Sequence, residues 1–324
     1  MPRLTFAEAV QQALAEEMER DATIWVLGED MHFGGVFGQY KGLVERFGRE
    51  RVVDTPISEA TIMGAGLGAA LAGTRPVIEM RIADFALPAM DELVNQIAKI
   101  RYMTGGQARP ALVVRMPHGL LPGSAAQHSQ TIENWLVNLP GIVVLAPATA
   151  ADLAAALKTA LRGADPYVIL EPKSYYRSAE DVPETITPLE VGRAVVRREG
   201  SDVTLVTWSQ GLRSSLAGAA AAAEKGVSVE VIDLVSLWPW DRPTVARSVA
   251  RTGRLLVAQE GGVDGGFGSE VVASVLEDVG PQAIKTVKRV GAPRIPIPFA
   301  ISMEQAVTLT REKVTTGIAA VMRA

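Results

Sequence analysis

Two side chains stand out as able to move protons near neutral pH: Glu59, in the segment DTPISEATIMGAGLGAAL, and His128, in the loop HGLLPGSAAQHSQ. A carboxylate half-buried beside an apolar, glycine-rich stretch would have its pKa raised by desolvation, which suits proton transfer. The same spacing supports a plainer role. Thr55 and Pro56 read as the cap and first residue of a helix, so Glu59 would complement the positive helix end by about 0.3–1 kcal/mol. On spacing alone the plainer role is favoured. His128 is of the one residue type that titrates near neutrality unaided, and it lies among glycine, proline and small polar residues. Helix capping is its plainer reading. Ser124 and Ser129 beside it suggest a hydrolytic triad, but no G-x-S-x-G elbow occurs in the chain.

Other segments carry weaker signals. Gly64, Gly66 and Ala69 satisfy the dinucleotide pattern G-x-G-x-x-A. That pattern needs a strand running into a glycine turn, whereas here the glycines fall mid-helix and let a neighbouring backbone approach, so a lone NAD-dependent dehydrogenase is disfavoured. Asp84-Phe85 follows the strand PVIEM and its extension RIA; the aromatic could be core or a ligand contact, and Asp84 could cap a helix starting at Phe85. GGVDGGFGSE (261–270) could be an anion-binding turn at a helix start or a connector needing positive φ.

These residues need a scaffold. Near-continuous apolar runs at Ile24–Leu27, Pro76–Met80, Ala111–Met116, Ile142–Ala146, Tyr167–Leu170, Val203–Trp208, Val227–Leu234 and Arg254–Ala258 predict parallel strands buried on both faces. Helical periodicity lies between them. Met90, Leu93, Val94 and Ile97 share one face, as do Val307, Val314, Ile318 and Val321. Such alternation predicts two doubly wound α/β domains. The stretch RSAEDVPETITPLE (177–190) reads as a linker, which places the domains at 1–185 and 186–324.

Composition narrows the classes. Of 324 residues 48% are hydrophobic and 21% charged, which excludes a disordered chain. The net charge of −4, with scattered Lys and Arg, gives no footprint for nucleic acid. Cysteine is absent, so disulfides, thiolate metal sites and cysteine nucleophiles are excluded, and only three histidines (His32, His118, His128) are present. The longest apolar stretch falls short of the ~20 residues a bilayer needs, and the opening MPRLTFAEAV resembles no targeting signal. A soluble, cytoplasmic protein is expected.

Taken in order, LGEDMHFGGVFG (27–38), RVVDTPISE (51–59), ADF (83–85), NQIAKIRYMTGGQ (95–107), AAQHSQ (125–130), ADPYVILEPKSYYR (164–177), VEVIDLVSLWPWD, TGRLLVAQE and GGFGSE make the chain resemble the β subunit of the thiamine-diphosphate-dependent decarboxylating component of 2-oxo acid dehydrogenase complexes. The resemblance spans nearly the whole chain. It implies a transketolase-like pyrimidine-binding domain followed by a transketolase C-terminal domain. Glu59 matches the glutamate that hydrogen-bonds N1′ of the cofactor aminopyrimidine and so promotes loss of the thiazolium C2 proton. Phe85 matches the aromatic packed on the pyrimidine, with Ile57 and Arg81–Ala83 on the same wall. Glu29 lies nearby, and His128 matches a loop histidine that serves acyl transfer to the lipoyl group.

The chain has no GDG motif and no paired asparagines, the hard-oxygen set that holds Mg²⁺ and the diphosphate in this family. The resemblance therefore implies half a cofactor site, with an α subunit supplying the rest in an α2β2 heterotetramer that docks on a lipoyl acyltransferase core. Some members hold K⁺ through positions matching Leu112, Ala160, Leu161, Gly163 and Asp165; the usual aspartate of that loop falls on Gly163, and Gln259 stands where many relatives carry histidine. FGGVFG is similar to branched-chain enzymes, whereas DTPISE and AAQHSQ are similar to the pyruvate and acetoin branches, so the 2-oxo acid substrate stays open. Alternatives are a split transketolase or acetoin-cleaving subunit, and a non-catalytic assembly subunit; joint retention of Glu59, Phe85 and His128 speaks against the last.

Overall fold

Packing in this computed structural model, which describes residues 2–323, divides the chain into two units. One holds the chain up to His118 together with Trp135–Val191; the other holds Gly119–Asn134 and the chain from Gly192 onward. The linker signal marks a division at 185/186. By packing, the chain changes unit at Val191/Gly192, and the loop carrying His128 groups with the second unit.

The first unit contains β1 (Arg3–Thr5), α1 (Phe6–Arg20), β2 (Ile24–Gly28), α2 (Leu43–Phe47), β3 (Val52–Asp54), α3 (Glu59–Leu71), β4 (Arg75–Glu79), α4 (Ile100–Met103), β5 (Val113–His118), β6 (Val143–Leu145), α6 (Ala150–Arg162), β7 (Tyr167–Pro172) and β8 (Ala179–Asp181). A short α5 (Glu133–Val137) precedes β6. Strands β2–β7 pair in parallel in the order β6-β7-β5-β4-β2-β3. Strands β5 and β7 are buried along their whole length, which is why these runs are continuously apolar. Helix α1 starts at a capping box, Thr5 accepting from the Glu8 N–H at 3.2 Å and Glu8 from the Thr5 N–H at 2.7 Å. Its Phe6, Val10 and Leu14 form one core with Leu153, Leu157 and Leu161 of α6, each burial contributing roughly 1.5–3 kcal/mol.

The second unit contains β9 (Val195–Arg198), β10 (Val203–Thr207), α7 (Gly211–Ala223), β11 (Val229–Asp233), β12 (Ser236–Trp238), α8 (Arg242–Thr252), β13 (Arg254–Gly262), α9 (Phe267–Val279), β14 (Thr286–Ala292), α10 (Ile301–Val307) and α11 (Arg311–Met322). Its sheet runs β14-β13-β10-β11-β9, parallel except for the antiparallel edge strand β9. Among the described residues no helix is long and apolar enough to cross a membrane.

Four sequence expectations need correction. Helix α3 starts at Glu59 with Ser58 as its cap, not at Thr55-Pro56. The Thr55 N–H donates to the Gly28 carbonyl at 2.9 Å, continuing the β2–β3 ladder, and Pro56 keeps Thr55 out of helical geometry. The face at Met90–Ile97 is wound as a π-turn over Glu92–Ile97, the Ala98 N–H reaching the Leu93 carbonyl at 3.0 Å; only Leu93 and Ile97 of the four are fully buried. Val307 ends α10, whereas Val314, Ile318 and Val321 belong to α11, whose start is capped by Thr310. The acidic stretch 177–190 is tied down: β8 pairs with β1, Lys158 and Thr159 donate to the Ile186 and Leu189 carbonyls at 2.8 and 2.9 Å, and both apolar side chains pack on the first unit's core.

Candidate active site

The loops after β2, β3 and β4 leave the carboxyl ends of three neighbouring parallel strands, the edge where doubly wound sheets place ligands. Glu29, Ile57, Glu59, Arg81 and Phe85 all lie on these loops or open the helix that follows. Glu29 is buried and accepts from Arg81 Nη1 at 3.2 Å; the same nitrogen donates to Asp30 at 2.7 Å. Asp30 and Arg81 both have positive φ, +57° and +40°. Such backbone costs of order 1 kcal/mol or more per residue and persists only where tertiary contacts hold it. Here the Met31 N–H donates to Asp54 at 2.8 Å, tying the β2 loop to β3.

Glu59 is the half-buried first residue of α3, and its side chain engages no partner among the described residues. Ile57, just before it, is 76% exposed. Phe85 is half-buried on the 3-10 turn Ala83–Ala89, which packs against α3. Asp84 is buried within that turn and does not cap it; the capping position is Ile82. Gly64, Gly66 and Gly68 fall inside α3, and the space a Cβ on Gly66 would take is filled by the Ile78 side chain of β4. Glycine there lets the helix sit close to the sheet, so the approach is to a side chain rather than a backbone. A carboxylate, an aromatic face and an exposed aliphatic on adjoining elements suit a flat, nitrogen-bearing ring.

His128 is exposed, on the loop Gly119–Asn134 of the second unit. Carboxylates of that unit anchor the loop: Glu260 accepts from the Leu120 N–H at 2.6 Å and Glu304 from the Gly123 N–H at 2.9 Å. Beside it opens a cavity of about 410 Å³, lined in part by Ser129, Thr131, Glu260 and Arg294. In the turn 261–270, Gly265 has φ +69°, and Gln259 closes the start of α9, accepting from the Gly268 N–H at 2.9 Å and donating to the Gly262 carbonyl. That amide takes one of the helix-start donors an anion would use, and the positive φ of Gly265 agrees with the connector reading.

The oxygens matched to a K⁺ site already face protein donors. Leu161 and Gly163 carbonyls accept from Arg75 Nη1 at 3.1 and 2.6 Å, Leu112 from the Tyr167 N–H at 3.0 Å, Ala160 from the Gly163 N–H at 3.2 Å, and Asp165 pairs with Arg101.

Sequence reasoning missed a buried ionic network at the heart of the first sheet. Arg115 on β5 clamps Glu171 of β7 through Nε at 2.7 Å and Nη2 at 2.6 Å, and donates to Glu79 of β4 at 3.0 Å. Tyr40 and Gln39 also donate to Glu79, and Tyr176 to Glu171. Burial, and then the nearby Glu171 charge, pushes the Glu79 pKa up to about 7 against the opposing pull of Arg115. His118, at the end of β5, is held neutral, its pKa lowered to about 3 by burial and the Lys173 charge. The signal was present as charged residues inside otherwise apolar runs: Glu79 in PVIEM, Arg115 in ALVVRM and Glu171 in YVILEP.

Two known families match the chain in turn, the first of them including the loop Gly119–Asn134. Residues 3–179 match the transketolase pyrimidine-binding domain, and residues 192–314 the transketolase C-terminal domain. The chain is 39% identical over 307 residues to the pyruvate dehydrogenase E1 component subunit beta-1 of Arabidopsis thaliana, covering 93% of this chain and 85% of that one. It is 38% identical over 317 residues to the 2-oxoisovalerate dehydrogenase subunit beta of Bacillus subtilis, covering 97% of each. The chain belongs to the transketolase-like family of 2-oxo acid dehydrogenase E1 β subunits. A solved split-gene transketolase, described as an inactive β4 tetramer, shares the fold of this E1 β-type chain with a TM-score of 0.80 at 26% identity, over 99% of this chain and 98% of that one. The identities place the chain with the dehydrogenase subunits ahead of the transketolase, acetoin-cleaving and non-catalytic alternatives.

Proposed function

We propose that this chain works with an α subunit to decarboxylate a 2-oxo acid on thiamine diphosphate and to pass the acyl group to a lipoyl domain. The observation that carries this reading is Glu59: a half-buried carboxylate without a partner among the described residues, opening a helix at the carboxyl edge of parallel strands, beside the turn that carries Phe85. These residues fit the aminopyrimidine of the cofactor. When bound, thiamine diphosphate supplies the electron sink that lets a 2-oxo acid lose CO2. Glu59 would hold the pyrimidine N1′ by a hydrogen bond and set its protonation. Phe85 and Ile57 would supply the apolar wall for the ring. The Glu29–Arg81 pair keeps the neighbouring loops in register and orders polar groups at the mouth. His128 donates a proton and offsets charge during acyl transfer.

The chain has no GDG motif and no paired asparagines, and on this reading the α subunit holds Mg²⁺ and the diphosphate. Phe33, Ile57, Tyr102 and Met103 are between 71% and 88% exposed, apolar surface of the kind a partner covers. The test is calorimetry of thiamine diphosphate with Mg²⁺, on this chain alone and co-expressed with an α-like chain. The expected result is tight binding only by the complex, followed by turnover of a 2-oxo acid with a lipoyl acceptor. Tight binding by the lone chain overturns the half-site, and turnover of ketose donors without decarboxylation moves the protein to the transketolases.

A further inference from the structure

We infer that Arg75 is the resident cation of the carbonyl cradle at the end of α6, and that potassium is not bound there. Leu161 and Gly163 carry carbonyls at the carboxyl end of α6, where unsatisfied oxygens and the negative pole of the helix dipole draw a cation. Arg75 opens β4, the strand beside β2, and its Nη1 donates to both oxygens, at 3.1 and 2.6 Å. Its Nε faces Asp21 at 3.6 Å, so the guanidinium is held from two sides. A guanidinium nitrogen and a monovalent ion need the same oxygen dipoles, and both cannot take them.

A second feature removes the anionic ligand. A Cβ on Gly163 would lie 2.6 Å from Tyr167 Cε2 and 3.0 Å from its hydroxyl, so the Tyr167 ring fills the space a carboxylate side chain at 163 would need. The remaining acid, Asp165, is taken by Arg101. The Leu112 and Ala160 carbonyls already accept from the Tyr167 and Gly163 N–H groups. Positive charge in the cradle is thus supplied by the chain itself and is independent of salt composition.

The test uses the full wild-type chain in thermal unfolding, with KCl, NaCl and choline chloride compared at one ionic strength of about 0.1 M, so that general screening is constant. Midpoints within about 1 °C of one another support the inference; a saturable rise specific to potassium overturns it. The variant Arg75→Met opens the cradle. It should lose about 2–4 °C in choline chloride, taking a loss of about 1 kcal/mol for a unit of this size, and regain it in potassium. Failure to regain it overturns the claim that guanidinium and ion compete for the same oxygens. Where that variant does not fold, a wild-type crystal soaked in thallium(I) decides: an anomalous peak at the Leu161 and Gly163 carbonyls overturns the inference, and its absence there supports it.

Discussion

Replacing Glu79 with glutamine should make the protein more stable than wild type in alkali and leave the two nearly equal in acid. Arg115 is already neutralised by its two-pronged bond to Glu171, so Glu79 is the surplus negative charge in a site without solvent. Its pKa rises from an ordinary 4.5 to about 7, which at 1.36 kcal/mol per unit is about 3 kcal/mol. The folded state therefore holds a proton that the unfolded chain releases between these values, and Glu79 lowers stability as pH rises from 4.5 to about 7. His118 acts oppositely. Its pKa falls from 6.5 to about 3, so the folded state refuses a proton that the unfolded chain takes up, and stability rises with pH across that window. In the wild type the two slopes oppose each other between about pH 4.5 and 6.5. Glu79→Gln mimics the protonated acid and removes only the falling slope. Thermal unfolding at pH 5, 6, 7 and 8 should show the gap between variant and wild type widening in the variant's favour by roughly 6–12 °C, at 2–4 °C per kcal/mol. A gap that stays constant with pH refutes the assignment. As a control, Glu171→Gln strips Arg115 of its main partner and should cost about 3–5 kcal/mol across this range.

Glu59→Gln should leave the melting temperature within about 2 °C of wild type, because the residue is half-exposed, yet abolish decarboxylation in the assembled complex; near-normal turnover removes Glu59 from the mechanism. His128→Ala should reduce acyl transfer to lipoyl groups by about 10²-fold or more while cofactor affinity, read by calorimetry, stays unchanged. The reverse pattern sinks the assigned role. Gly141→Ala forces a Cβ into the Ala98 carbonyl at φ +108° and should cost more than about 2 kcal/mol, measured by denaturation; a neutral result means the turn can re-form elsewhere.

Much of the architecture was legible because parallel strands buried on both faces must be continuously apolar, and the runs at Ile24, Pro76, Tyr167 and Val203 each begin a strand or lie within one residue of doing so. The strands that escaped notice are short or polar: β1, β3, β8, β9 and β12 run three or four residues, too few to show a period, and β14 carries Lys288 and Arg289 at a sheet edge. The start of α3 was misplaced because Thr55-Pro56 has the chemistry of a cap, while a ladder bond to Gly28, distant in sequence, decides the local backbone. Similarly, an acidic, proline-bearing stretch looks like a free linker until β1 and the core of α1 and α6 are in place to hold it.

The sequence by itself determined the family, the two α/β units, and the identity of Glu59, Phe85 and His128 as residues worth attention, because residue type and order along the chain are local information. What only the tertiary structure decided are relations between distant segments. The strand order β4-β2-β3 puts Glu29 against Arg81 and the Phe85 turn against α3. The pairing of β4, β5 and β7 turns three isolated charges into one buried network, and the register of β4 beside β2 brings Arg75 to the end of α6. Apart from the Phe85 turn on α3, each is a contact across 36 residues or more, and no periodicity or propensity along the chain encodes which partner an exposed carbonyl or a buried carboxylate will meet.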